Sequence, residues 1–354
     1  MMTSVLSPLR GKRVGLVTNQ SSFTSDWRSS RLHLHETIGL SCLYAPEHGL
    51  GGYVNRGEGV ADTIDSLTGL PVRSLYQGEK GQRATSDDLD CLIFDIQDVG
   101  VRFYTYISTL RQIMETGVPV IVIDRPNPLG GRVVEGVVLQ ATDESFIGPR
   151  GLPIRYALTI GELAHWMNEE YEMECDLATI DLPAWQRDDL WWNKTDPWIM
   201  TSPAIAHQEG LFFYPGMCLL EGTNLHEGRG TGAPFELLGA PFIDSNRLAD
   251  EVRRLDLDGV VFTPVSYTPY GGDLMHGLYG HITDVRTFMP VETAVRILSL
   301  IVRMYPKQVV ITKHFRALAG FDPAELEDSE KVVERMKAES ADFATAAKRF
   351  HRYD

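Results

Sequence analysis

Four apolar runs in the first 125 residues each end in a cluster of reactive polar side chains. Residues 13–17 lead into Thr18-Asn19-Gln20, and residues 40–45 into Pro46-Glu47-His48-Gly49. Residues 91–94 lead into Asp95-Ile96-Gln97-Asp98, and residues 118–123 into Asp124-Arg125-Pro126-Asn127. Between the last two runs, Phe103, Tyr106, Ile107, Leu110, Ile113 and Met114 fall on one face of a helix, and Gly117 stands where its C-cap is expected. The run at 118–123 is rich in β-branched residues, which suits a strand buried on both faces. Strand, helix and strand in this order predict a βαβ unit with a right-handed crossover. A strand at 14–17, a helix over 26–37 and the run at 40–45 repeat the pattern. The fold class is α/β with a parallel sheet, and such a sheet brings all four polar ends to one edge, where they would build a single crevice.

Further along, a short strand is predicted at 133–139. A helix opens after Thr159, with Glu162 placed to complete a capping box. Residues 185–198 hold four of the six tryptophans, suited either to stacking on sugar rings or to anchoring packing. From about residue 212 the character changes. Glycine- and threonine-rich loops precede a helix at 245–255, a strand at 259–265 and helices at 291–304 and 323–349. A boundary near 210 divides the chain into a domain at 1–210, carrying most of the site, and a smaller α+β domain at 211–354 that closes a cleft.

Composition narrows the partners. A net charge of −15 on 354 residues, from 33 basic and 48 acidic side chains, disfavours nucleic acid and anionic membrane surfaces. The four cysteines, Cys42, Cys91, Cys175 and Cys218, lie in or beside apolar runs without CxxC spacing, as buried free thiols do. No run is long enough to span a membrane. No signal peptide is apparent, so a cytoplasmic chain is expected, although one trimmed of an export signal would read the same. GxGxxG, a Walker loop and GxSxG are all missing, so no cofactor is expected and an α/β-hydrolase is disfavoured. No compact ligand motif supports a metal at Asp95, Asp98, His48 or His226.

The polar ends carry the candidate chemistry. Glu47 beside His48 could act as a general acid or base, with the glycines that follow letting backbone approach a ligand. Asp95, Gln97, Asp98 and Arg102 are dense enough to grip a ligand, or to form an ion pair and a helix cap. Arg125 is a candidate anion clamp, or a salt bridge beneath the site. Glu221-Gly-Thr-Asn-Leu-His-Glu-Gly-Arg-Gly-Thr-Gly is the most concentrated polar loop in the chain.

Five segments together resemble a known family. They are Val14-Gly-Leu-Val-Thr-Asn-Gln-Ser-Ser, Tyr44-Ala-Pro-Glu-His-Gly-Leu, Phe94-Asp-Ile-Gln-Asp-Val-Gly-Val-Arg-Phe-Tyr-Thr-Tyr, Asp124-Arg-Pro-Asn-Pro-Leu-Gly-Gly and Leu220-Glu-Gly-Thr-Asn-Leu-His-Glu-Gly-Arg-Gly-Thr. In order and spacing they are similar to the exo-β-N-acetylmuramidases of glycoside hydrolase family 171, formerly grouped as a domain of unknown function. The resemblance implies a Rossmann-like N-terminal domain, a smaller C-terminal domain and a site between them. It implies release of N-acetylmuramic acid, or a related 2-acetamido sugar, from non-reducing ends of peptidoglycan fragments. The alternatives are a non-catalytic cell-wall sugar-binding protein and a metal-dependent hydrolase. On the hydrolase reading Glu47 is the catalytic acid, and Asp98, Glu221 and Glu227 compete for the second catalytic role. Asn19, His48, Gln97 and Asn224 would contact the sugar, and Arg102, Arg125 or Arg229 its lactyl carboxylate. The chain departs from the family at Ala204, where asparagine is usual, and at Phe242, where tryptophan is usual.

Overall fold

The structure is a computed structural model that describes residues 5–76, 88–194 and 197–354. Seven strands form the larger sheet: β1 Val14–Thr18, β2 Cys42–Ala45, β3 Thr63–Ile64, β4 Pro71–Ser74, β5 Cys91–Asp95, β6 Val120–Ile123 and β7 Leu177–Ile180. Their order is β3-β4-β2-β1-β5-β6-β7, parallel throughout except at β3–β4. The chain starts at the centre, moves outward through β2 and β4, and returns to β5 on the other flank. This is Rossmann-like winding, with its reversal between β1 and β5. Helices α1 Ser30–Ile38, α2 Tyr106–Met114 and α3 Ile160–Glu170 belong to this part. Every residue of β1 and β5 is buried, which accounts for runs that are apolar without alternation.

The second part contains α4 Gln208–Met217, a 3-10 turn at Cys218–Gly222, α5 Ser245–Arg253, α6 Pro290–Met304, α7 Lys313–Ala319 and α8 Ser329–Ala347. Its sheet is antiparallel, with β8 Leu237–Ala240 beside β10 Met275–Ile282 and β9 Val260–Tyr267 at the edge. One apolar cluster runs from Phe94 and Ile107 of the first part through Phe212 and Phe213 to Val291, Leu298 and Val333 of the second. Arg102, fully buried, reinforces this junction by donating to the carbonyls of Val137 (2.7 Å), Leu152 (2.8 Å) and Leu318 (2.6 Å). The last residues run back to the first sheet, where the Arg352 N–H donates to Glu162 (2.7 Å) and the Tyr353 hydroxyl to Asp124 (2.5 Å).

The differences from the sequence expectations have local causes. The helix expected from residue 26 begins at Ser30, because Thr24 Oγ1 accepts from the Arg28 N–H (3.0 Å) and ties that stretch into a turn. Residues 133–139 form no strand. They lie against the second part instead, where the Val138 N–H donates to Glu339 (2.7 Å) and Ser340 to the Gly136 carbonyl (3.2 Å). The helix expected over 323–349 divides at Asp328, whose side chain caps α8 by accepting from the Lys331 N–H. The capping box of Thr159 and Glu162 forms as its spacing requires. Among the described residues, no helix is long and apolar enough to cross a membrane.

Candidate active site

A cleft of about 340 Å³ opens beyond the end of β2, lined by residues from both sides of position 210. Glu47 enters it from the turn that follows β2. His48 holds a positive φ of 70° in this turn, a costly conformation for a non-glycine residue, and its Nδ1 lies 2.7 Å from the Val54 carbonyl. The Glu47 side chain is almost wholly buried. Its Oε1 accepts from the Gly57 N–H (3.0 Å) and its Oε2 from the Thr105 hydroxyl (2.7 Å). Burial, and then the charge of Glu47, pushes the Tyr76 phenol up to about 12, so it meets the carboxylate as a protonated donor.

Glu221 faces the same cleft from the 3-10 turn at Cys218–Gly222. It pairs with two guanidinium groups, those of Arg56 and Arg229. Arg229 also bonds Glu227 (2.8 Å) and lies 4.8 Å from the centre of the Phe235 ring. Consecutive residues of one loop therefore touch both acids, Gly57 through its N–H and Arg56 through its side chain. Tyr76 and Phe146 stack at 5.6 Å to form an aromatic wall. Ala204 and His314 complete other parts of the lining. Burial, aided by Arg56, holds the His314 imidazole below its ordinary value, so it is neutral at neutral pH. Two carboxyl groups from distant segments, facing one small aromatic-walled cleft, are the minimum equipment for glycosidic hydrolysis.

Comparison with known proteins gives the family. The family models for the N-terminal and C-terminal parts of the exo-beta-N-acetylmuramidase NamZ match residues 14–209 and 212–353. The chain belongs to the exo-beta-N-acetylmuramidase NamZ family. It is 41% identical to the peptidoglycan beta-N-acetylmuramidase NamZ of Bacillus subtilis, over 88% of this chain and 78% of that protein. A crystal structure of a DUF1343 family protein from Bacteroides fragilis superimposes with a TM-score of 0.90 at 31% identity, covering 100% of this chain and 97% of that one. A second from the same organism gives 0.74 at 25% identity, covering 99% and 97%. The chain is thus a glycosidase by family.

Of the residues singled out in the sequence, Glu47, His48, Glu221 and Arg229 line the cleft, and Glu227 stands behind Arg229. The other candidate catalytic and sugar-binding residues do not line it. Asp98 is buried below, accepting from the Gly100 N–H (2.7 Å) and the Tyr156 hydroxyl, and burial pushes its carboxyl up to about 6. Gln97 donates to the carbonyls of Asp98 (2.7 Å) and Pro126 (2.8 Å). Arg125 donates to Asp95 (2.6 Å) and to the Phe23 carbonyl (3.2 Å). Asn224 holds the backbone of Gln308 and Val310, each at 2.9 Å. Arg102 is spent on the three carbonyls at the junction.

The single crevice expected from four strand ends is therefore corrected. At the reversal between β1 and β5 the chain fills the space itself. Asn19 accepts from the Ser21 N–H (2.9 Å) and hydroxyl (2.6 Å), Ser22 donates to the Asp95 carbonyl (2.5 Å), and the Gln97 N–H donates to Ser21 Oγ (3.1 Å). The tryptophans of 185–198 pack rather than face the cleft: Trp191 meets Trp198 edge-on at 5.4 Å and Trp192 meets Phe212 at 5.6 Å. Sequence reading passed over Arg56, Tyr76, Thr105 and His314, all of which line the cleft. The one signal for Arg56 was its glycine-flanked loop, which continues the Glu47 segment. Among the described residues, no group of three or more His, Cys, Asp and Glu side chains is placed to hold a metal ion.

Proposed function

We propose that this glycosidase acts from the non-reducing end of peptidoglycan fragments and releases N-acetylmuramic acid or a closely related 2-acetamido sugar. The observation that carries this reading is the convergence of Glu47 and Glu221 on one cleft. The cleft lies at the small end of the size range of ligand sites, which suits one terminal sugar rather than a threaded glycan. Glu47, in its protonated form, gives its proton to the glycosidic oxygen as the bond to C1 breaks. The Gly57 N–H and the Thr105 hydroxyl fix the carboxyl group for that transfer. Glu221 supplies the second carboxylate, either orienting the 2-acetamido group for attack on C1 or activating water. Residues 1–210 and 211–354 act as two domains, each contributing one of the two acids.

The test is Glu47→Gln, assayed for release of N-acetylmuramic acid from a disaccharide in which it is linked to N-acetylglucosamine, because a sugar hydroxyl needs the proton to leave whereas an activated phenol does not. Turnover should fall by about 10³-fold, within the range for loss of a general acid, while the melting temperature stays near that of wild type. Turnover within a few-fold of wild type would remove Glu47 from the mechanism. Tight sugar binding by a wild-type protein without turnover would leave a binding module instead.

A further inference from the structure

N-acetylmuramic acid differs from N-acetylglucosamine by a lactyl ether that ends in a carboxylate, so an enzyme that prefers it needs a cation within reach of the sugar. Three arginines were candidates on sequence, and the structure commits two of them elsewhere. Arg102 is consumed by backbone carbonyls, and Arg125 by Asp95 and the Phe23 carbonyl. Arg229 does line the cleft, but it is shared between Glu221 and Glu227 and lies against the Phe235 ring, with 27% of its side chain exposed. Arg56 differs from all three. It lines the cleft, its side chain is 53% exposed, and among the described residues its ion pair is with Glu221 alone. It reaches the cleft from the surface, on a glycine-flanked loop anchored at its base by the Gly57 N–H on Glu47.

We infer that Arg56 is the specificity-determining residue that selects a sugar bearing a carboxylate, exchanging its partner Glu221 for the lactyl carboxylate of the substrate. This rests on the hydrolase reading above and deepens it. A guanidinium exchanges one carboxylate for another at small net cost, because both accept the same pair of N–H donors. Glu221 keeps Arg229 after the exchange, so it is not left as an unpaired buried charge. The exchange uncovers the side of Glu221 that Arg56 occupies in the free protein, and a neutral sugar has no group with which to drive it. Arg56 acts by binding and positioning, and forms no bond to the reacting atoms.

The test compares wild type with Arg56→Gln, Arg56→Ala and Arg56→Lys on two substrates that share a leaving group, 4-nitrophenyl β-N-acetylmuraminide and 4-nitrophenyl β-N-acetylglucosaminide. The muraminide-to-glucosaminide ratio in kcat/KM should fall by about 10–100-fold in the glutamine and alanine variants, the size of one charge-assisted hydrogen-bonded pair. The lysine variant should recover part of the ratio. A ratio within about threefold of wild type in the glutamine and alanine variants would overturn the assignment. Calorimetric titration of free N-acetylmuramic acid and N-acetylglucosamine into the same proteins separates this proposal from the hydrolase reading, because it needs no turnover. A wild-type preference for the acidic sugar that disappears in Arg56→Gln supports the exchange. Equal binding of the two sugars by wild type, or a preference that survives the substitution, defeats it.

Discussion

The end of β2 and the ends of β5 and β6 carry the same kinds of side chain and put them to opposite uses. After β2, Glu47 faces a cleft and is held by the edges of a loop and a helix. After β5 and β6, Asp95, Asp98 and Asp124 turn inward. Asp95 pairs with Arg125, Asp98 takes Tyr156 and the Gly100 N–H, and Asp124 takes Thr159 (2.8 Å), the Gly161 N–H (2.8 Å) and Tyr353. The difference lies in what covers each end. The second part of the chain leaves space above β2, whereas the loop of residues 18–23 and the C-terminal segment close over β1, β5 and β6. A buried carboxyl without open space becomes a fastener for loops, because whatever donors stabilise it must come from within.

The sharpest way to break this contrast is to neutralise one acid of each kind. Glu47→Gln should cost about 10³-fold in turnover of the disaccharide, while Asp98→Asn should stay within about threefold on the same substrate. Comparable losses from the two would show that the strand ends share one site after all. Glu221→Gln tests the partner acid and should lower kcat by about 10²-fold, and removal of Arg56 instead should change substrate preference more than kcat on the poorer substrate.

Stability separates the two regions in the other direction. Arg125→Ala leaves Asp95 fully buried without its guanidinium and should cost about 3–5 kcal/mol, read as a lower urea midpoint. Glu47→Gln should change that midpoint little.

The smallest effect is a pH dependence. Burial raises the Asp98 carboxyl from its ordinary 3.8 to about 6, so the folded protein binds that proton more tightly than the unfolded chain. The contribution favours folding below about pH 4 and is lost as pH rises through about 6. Asp98→Asn has no such proton to lose. Its melting temperature should therefore gain on wild type by a few degrees between about pH 4 and about pH 7, the equivalent of about 1–3 kcal/mol. A constant difference across that range would assign the proton elsewhere.

The amino-acid sequence by itself determined the α/β class, the parallel strands and the capping box of α3, because continuous β-branched runs, helical spacing and a Thr-x-x-Glu pair act over a few neighbouring residues. It also brought Glu47, His48, Glu221 and Arg229 forward as reactive groups. Only the tertiary structure decided which strand end stays open. Asp98, Gln97 and Arg125 have the composition of a site, and what makes them structural is coverage by residues 18–23 and 156, far away in the chain. Arg56 was passed over for the converse reason. Its meaning depends on Glu221, 165 positions away, and an ion pair between distant loops leaves no local pattern to read.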